Sequence, residues 1–171
     1  MNPLQTPLLV LGTCCEADFP KYEQYFNETY RAGPVFDRCG RRVIFTPDRA
    51  HHVCFANPRH NEQKVMSRPV WRADRAQRIP WIMVALTHPT CQLKENKEPG
   101  SWNYLIRMQI AHPAMVCNYY KVVVVPRRNG EEVRFVSAYK IDDHEWQNAM
   151  KMKSVPPPKK REAGGTKPPA S

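Results

Sequence analysis

Four groups of side chains in this sequence have the chemical types needed for acid–base catalysis at a phosphate. Histidine changes charge near neutral pH, so it can act as a general acid or base. Arginine and lysine can hold a phosphate and offset the charge that grows on its oxygens. The candidates are His51 and His52, the helix-borne arginines Arg75 and Arg78, Lys121, and the pair Ser137 and Tyr139.

These groups match the requirements of metal-independent RNA cleavage. The 2′-OH must lose a proton as it attacks the adjacent phosphorus, and the leaving 5′ oxygen must gain one. DNA would not be cut, because it lacks the attacking hydroxyl. Composition alone leaves this reaction as one option among several.

Each candidate also has a structural interpretation. A histidine that follows Pro-Asp-Arg-Ala can cap a helix, and Arg78 can form a salt bridge at the edge of the core. Ser137 and Tyr139 can simply end a strand, with the phenol satisfied at the surface. The two interpretations of Arg78 are about even.

The element that must position Ser137 and Tyr139 is a β-hairpin. Residues 119–125 and 133–139 are rich in β-branched and aromatic side chains, and the Asn129-Gly130 pair between them is a strong hairpin signal. Ser137 and Tyr139 are two residues apart, so a strand points them to one face. We expect this hairpin to form the centre of an antiparallel sheet.

The remaining patterns predict an α+β fold, in which N-terminal helices precede a small antiparallel β-sheet. We expect helices at residues 22–31, 67–87 (interrupted near Pro80) and 142–152, the last capped by Asp142 or Asp143. A hairpin at 35–46 turning at Cys39-Gly40, a turn or short helix after Pro47 that carries the histidines, and a strand at 102–110 are also predicted. Residues 90–101 read as a loop, and Trp71, Trp81 and Trp102 read as core.

Composition divides the 171 residues into three parts. We expect a loosely ordered segment at 1–20, a single domain at 21–153 and a disordered basic Pro-rich tail at 154–171. The net charge is +10, and residues 151–171 carry half of it. A basic body favours a polyanionic partner, nucleic acid before acidic membrane, although solubility alone is an equally good explanation of the charge.

The six cysteines indicate reduced thiols in the cytoplasm, because no signal peptide is recognisable before them. No CxxC pair is present, so a structural zinc site of ordinary spacing is not supported, and we expect neither a metal nor another cofactor. A metal held by His51, His52 and Cys54 together with a distant cysteine is the weaker alternative. No apolar run is long enough to span a membrane, and neither a glycine-rich phosphate loop nor a nucleophile elbow is present.

Several short motifs resemble the phage-associated branch of the barnase–EndoU–colicin–RelE ribonuclease superfamily. They are RAQRIPWI at 75–82, LTHP at 86–89, FVSAY at 135–139, and VIF at 43–45 followed by HHVCF at 51–55. The similarity covers about residues 36–141. It implies a barnase-like fold and a toxin- or effector-like endoribonuclease that needs no metal and leaves a 2′,3′-cyclic phosphate.

The resemblance also implies roles for individual residues. His52 or His51 would be the acid–base group, and Arg75 or Arg78 would bind phosphate. Ser137 would contact the scissile phosphate, and Tyr139 would support it or stack on a base. Further RNA contacts would come from Lys121, Arg72, Arg127 and Arg128.

The implied partner is RNA, either tRNA or mRNA, in the cytoplasm of a host cell if a phage encodes the chain. A protein partner or inhibitor is also expected, and a membrane is not. The alternative from another class is a catalytically inert RNA- or protein-binding module of phage origin that blocks a host complex. A basic structural protein of a phage particle is a third option.

Overall fold

The computed structural model describes residues 4–56, 69–96, 100–109 and 117–157. Its helices are α1 (Phe19–Tyr30), α2 (Arg49–Cys54), α3 (Ala73–Ala76), α4 (Ile79–Thr87) and α5 (Asp143–Met150). Its strands are β1 (Leu4–Gln5), β2 (Val35–Phe36), β3 (Arg42–Ile44), β4 (Phe55–Ala56), β5 (Val70–Trp71), β6 (Gln92–Glu95), β7 (Trp102–Gln109), β8 (Cys117–Arg127) and β9 (Glu132–Ile141). The α+β class is confirmed.

Helix α1 forms where the aromatic spacing predicted it. Tyr22, Phe26 and Tyr30 recur every four residues, so they lie on one helical face, and all three are buried. Helix α5 is likewise where it was predicted: the Asp142 side chain accepts a hydrogen bond from the Glu145 backbone N–H at 2.7 Å.

The long helix predicted at 67–87 is wrong in extent. Residues 70–71 form β5 instead, which pairs with β4, and the helical part is divided into α3 and α4. Pro80 lies in the first turn of α4, where its missing N–H costs no intrahelical hydrogen bond. The proline therefore begins a helix, and the break falls just before it.

The main sheet has the strand order β1-β7-β8-β9-β3-β2, and β6 also pairs with β7. The prediction of a purely antiparallel sheet is wrong, because β3 runs parallel to β9 and β1 runs parallel to β7. The helices do not all precede the sheet but alternate with its strands. Residues 92–95, expected to be loop, form β6.

The predicted central hairpin is confirmed as β8 and β9. A short 3₁₀ turn at Arg128–Gly130 joins the strands, and Gly130 has the positive φ of 86° that favours glycine. The pairing shifts by one residue between Val123, which faces Ser137, and Val124, which faces Phe135. Val136 is therefore the extra residue of a β-bulge, a feature that re-aims the side chains beyond it.

The sheet separates two apolar clusters of unequal size. Helices α1, α2 and α4 cover the larger cluster, which includes Tyr120 and Phe135 from the hairpin. Helix α5 covers a small cluster of Leu105, Ile141 and Ala149 on the opposite face. None of the helices in the described ranges is long and apolar enough to cross a membrane.

The described parts of the two segments that were predicted to be loosely ordered or disordered, within 4–20 and at 154–157, contact the folded body. Leu8, Leu9 and Leu11 contact the large cluster, and the Leu9 N–H donates to the Gln77 carbonyl at 2.8 Å. At the other end, residues 154–157 belong to the folded body: Ser154 forms a β-bridge with Lys94, and the N–H of the next residue bonds the Leu93 carbonyl. The rest of the predicted tail, 158–171, lies outside the described residues.

Candidate active site

The candidate site lies along the part of β9 that extends beyond the end of the neighbouring strand β3. The last register pair between β3 and β9 is Ile44 with Arg134. From there to the end of the strand, side chains from α2 and α3 approach the edge of β9. Bulged Val136 and the following Ser137 lie in this stretch.

An open cavity of about 370 Å³ occupies this position. We call it the basic cavity, because two arginines and two histidines line it and no acidic residue is among its described lining residues. Its lining consists of Arg49, His51, His52, Phe55, Ala56, Pro69, Arg75, Val136 and Ser137. The structure thus brings together four of the predicted site residues from three separate parts of the chain.

Arg75 forms hydrogen bonds with α2, β4 and β9 at the wall of the basic cavity. Its Nη2 donates to Ser137 Oγ at 2.9 Å, to the His52 carbonyl at 3.2 Å and to the Ala138 carbonyl at 3.4 Å, and its Nη1 donates to the Phe55 carbonyl at 3.4 Å. All four partners are neutral, so the positive charge is not cancelled. Burial lowers the pKa of Arg75 from its ordinary value, but a guanidinium stays protonated at physiological pH.

A second polar network holds the N-terminal end of α2. The Asp48 carboxylate accepts the Thr46 hydroxyl at 2.6 Å and contacts Arg49 Nη2 at 3.2 Å and His52 Nε2 at 3.4 Å. Arg49 also donates to the Val136 carbonyl at 3.3 Å, which joins α2 to the bulge. The hydrogen bond from Thr46, and the charges of Arg49 and His52, lower the pKa of Asp48. The carboxylate therefore remains ionised and orients the His52 ring.

The two histidines have different environments. The His51 ring stacks on Phe55, with centroids 4.3 Å apart and planes 10° apart. His52 is more than half exposed and contacts Asp48. The ring centroids of the two histidines are 6.4 Å apart. His52 therefore has the arrangement expected of an oriented acid–base group, and His51 is part of an aromatic wall.

Tyr139 lies between the basic cavity and the α5 side of the sheet. The Arg75 guanidinium is 5.3 Å from its ring centroid, and Lys121 Nζ is 4.7 Å from the same centroid. Lys121 is only 8% exposed and forms an ion pair with Glu145 of α5. Burial opposes its charge, but hydrogen bonds with Glu145 and Tyr139 raise the pKa of Lys121. Its ammonium is thus engaged within the protein.

The other predicted cations do not line the basic cavity. Arg78 is 7% exposed; it donates to the Asp74 carbonyl and lies 5.0 Å from the Trp81 ring centroid. Arg72 is exposed and pairs with the Asp74 carboxylate at 3.1 Å. The remaining two, Arg127 and Arg128, are exposed at the tip of the central hairpin.

A second cavity of about 390 Å³ adjoins the first. We call it the aromatic cavity. It shares three lining residues with the basic cavity: His51, Phe55 and Pro69. Its other lining residues are Glu16, Ala17, Phe19 and Pro20.

Sequence reasoning missed Arg49, Asp48 and Phe55 as parts of the site. The signal for Asp48 and Arg49 was present, because a short helix after Pro47 places them four and three residues before His52, on one face. The sequence contains a further histidine, His60, which lies outside the described residues. Within the described ranges, no three His, Cys, Asp or Glu side chains converge to hold a metal ion.

The chain was compared with family models, with curated proteins and with solved structures, and no significant match was found. The superfamily resemblance therefore stays a prediction that rests on the motifs in the sequence.

Proposed function

We propose that the chain is a metal-independent endoribonuclease of the toxin or effector type, which acts in the basic cavity. The observation that carries the proposal is the convergence of His52, Arg49, Arg75 and Ser137 on one open cavity with no acidic lining residue among those described. These residues come from α2, α3 and β9, so chain proximity does not explain their meeting.

In the proposed reaction His52 removes the proton of the 2′-OH as that oxygen attacks the phosphorus. Asp48 holds the imidazole in place and stabilises the imidazolium that forms. Arg49 and Arg75 offset the charge that grows on the non-bridging oxygens. The bond from phosphorus to the 5′ oxygen breaks, that oxygen takes a proton from solvent while the His52 imidazolium returns its proton to solvent, and a 2′,3′-cyclic phosphate remains.

Ser137 supports this reaction as a positioning residue. Its hydroxyl oxygen accepts a hydrogen bond from Arg75 at 2.9 Å, so it fixes the guanidinium at the cavity wall. Its own O–H donor can then point to a phosphate oxygen. Tyr139 acts one step further away, through its ring contact with Arg75.

The substrate class would be tRNA or mRNA in the cytoplasm, reached in a host cell if the gene belongs to a phage. Net charge supports an RNA partner, since a basic protein gains affinity by releasing counterions from the RNA backbone. A protein inhibitor that covers the basic cavity would fit the same chemistry.

A catalytically inert RNA- or protein-binding module is the second candidate. One observation favours it: every hydrogen bond given above for Arg75 goes to the protein's own atoms. In that case the guanidinium would serve the fold and not a phosphate. Salt-sensitive RNA binding without cleavage would support this function.

The test is incubation of the purified protein with bulk tRNA and a structured mRNA in EDTA. We expect fragments that end in 2′,3′-cyclic phosphate, and a decrease of about 10²–10⁴-fold in rate for His52→Ala, the range for loss of a general acid or base. The matched variant His51→Phe preserves an aromatic ring against Phe55 and should retain cleavage. Intact RNA with the wild-type protein would contradict the proposal.

A further inference from the structure

The aromatic cavity has no role in the reaction proposed above, although it adjoins the basic cavity. His51, Phe55 and Pro69 line both spaces, so the two cavities share part of their walls. A ligand with an anionic part in the basic cavity can therefore reach across this shared wall into the aromatic cavity. The volume of the aromatic cavity, about 390 Å³, falls within the range of about 300–1,000 Å³ typical of small-molecule sites.

Three rings shape the aromatic cavity into a corner. His51 and Phe55 are nearly parallel, whereas Phe19 is nearly perpendicular to both, with interplanar angles of 86° and 77°. Trp71 packs behind them, 5.4 Å from Phe55 between centroids. Phe19 and Phe55 are half-buried, so this packing fixes the surface before any ligand arrives.

The two cavities differ in charge, and that difference sets the direction of a bound ligand. The basic cavity offers Arg49 and Arg75, which attract a phosphate. The aromatic cavity has neither arginine nor lysine among its described lining residues, so it lacks a cation to hold one. A neutral, planar group is the suitable occupant of the aromatic cavity.

We infer that the aromatic cavity is a base-binding subsite for a nucleotide of single-stranded RNA whose phosphate lies in the basic cavity. The inference rests on the proposed function, since it assumes that the bound phosphate belongs to RNA. The RNA is single-stranded because a base must leave its stack to enter a protein cavity. Stacking on aromatic rings accepts every base, with a modest preference for the strongest stackers, the purines.

The experiment compares adenosine 5′-monophosphate with ribose 5-phosphate, which differ only in the base. Dissociation constants from NMR titration should be about tenfold lower for the nucleotide, as expected from one base stacked on aromatic side chains. Ala17→Trp fills the aromatic cavity from an exposed position, so it should abolish the difference while leaving ribose 5-phosphate affinity unchanged. Arg49→Gln should weaken both ligands.

Two further variants complete the design. Phe55→Ala should also reduce the nucleotide preference, and its unfolding curve shows whether the fold survives. Phe36→Ala is the matched control, because Phe36 is half-exposed on β2 and lines neither cavity. It should change neither affinity.

Equal affinities of the two ligands for the wild-type protein, or a preference that survives Ala17→Trp, would overturn the subsite. The cleavage assay separates this failure from that of the proposed function. Base-dependent binding with intact RNA would retain the subsite and reject the ribonuclease. Cleavage without base-dependent binding would retain the ribonuclease and reject the subsite.

Discussion

The cations on the two sides of strand β9 have different kinds of partner. On the cavity side, the guanidinium of Arg75 bonds only neutral carbonyl and hydroxyl oxygens among the hydrogen bonds described, so its charge remains available. On the α5 side, Lys121 is buried and Glu145 neutralises it. The Tyr139 ring contacts both cations. Residue type alone therefore does not identify a phosphate-binding cation. Whether a cation is available to a phosphate depends on whether its partners in the protein are neutral or acidic.

Among the variants that test this contrast, the largest effect is expected from Arg75→Ala. It removes one of the two arginine charges of the basic cavity and also the hydrogen bonds that join α2 and β4 to β9. Cleavage should fall by about 10²–10³-fold, the size of effect seen when one preorganised electrostatic group is lost. The free energy of unfolding should fall by about 1.5–3 kcal/mol, as for loss of a hydrogen bond to a charged group. Kinetics and urea unfolding measure the two quantities.

Arg75→Lys serves as the control for this prediction. It retains the charge but not the forked geometry, so stability should fall while some cleavage remains. Full activity in Arg75→Ala would show that Arg75 only supports the fold.

A pair of variants tests the contrast between the two sides directly. Arg75→Gln removes the cation with neutral partners from the basic cavity, and Lys121→Gln removes the one paired with Glu145 under α5. The slope of log affinity for single-stranded RNA against log salt should decrease in magnitude by about 0.7 for Arg75→Gln, the value for one lost phosphate contact. The slope should not change for Lys121→Gln. Equal changes in the salt slope of both variants would show that the two cations do not differ in their contact with RNA.

Asp48→Asn should have a smaller effect. The carboxylate is exposed, so losing its contact with His52 should cost about two- to fivefold in rate, as expected for exposed ion pairs. The Thr46 hydroxyl, followed by nearby positive charges, lowers the pKa of Asp48. Its ionised form therefore adds stability above the ordinary value of about 3.9, and this contribution disappears as the pH falls through the lowered pKa.

Urea unfolding at two pH values checks the sign of that effect. Wild type should be more stable than Asp48→Asn at pH 7, and the difference should disappear as the pH falls well below about 3.9, where the carboxylate becomes protonated. A difference that persists at that acidity would contradict the assignment of Asp48 as an ionised carboxylate.

The smallest effect is expected at the hairpin tip. Arg128 is 74% exposed at its side chain and pairs with Glu132 at 3.3 Å, and Arg127 beside it is also exposed. Replacing both by serine should weaken the binding of all RNA sequences slightly and leave the cleavage rate at saturating RNA unchanged. A large loss of cleavage rate would indicate that the active site lies at the hairpin tip and not in the basic cavity.

The sequence was most informative where a local pattern sets local structure. The aromatic spacing of α1, the hairpin of β8 and β9, and the Asp142 cap each depend on residues that are close in the chain. The parallel pairing of β3 with β9 depends on contacts across about 90 residues, which periodicity cannot detect. Strand β6 was missed for another reason: it pairs with nearby β7, but its sequence Gln-Leu-Lys-Glu is too polar to give a strand pattern.

The candidate site shows the same division. His51, His52, Arg75 and Ser137 could be chosen by residue type and motif. Their meeting depends on the bulge at Val136, without which strict alternation would point Ser137 to the same face as buried Phe135. Arg75 and Arg78 are also indistinguishable by type, because only packing shows that the second lies against Trp81.

The central claim is that the basic cavity promotes attack by a 2′-OH. The most direct measurement uses one single-stranded oligoribonucleotide and a matched copy in which only the nucleotide at the cleavage site is 2′-deoxy, both in EDTA. The account predicts cleavage of the first, with a 2′,3′-cyclic phosphate end that is lost in His52→Ala, and an intact second strand. Cleavage of the 2′-deoxy strand at the same bond would contradict it.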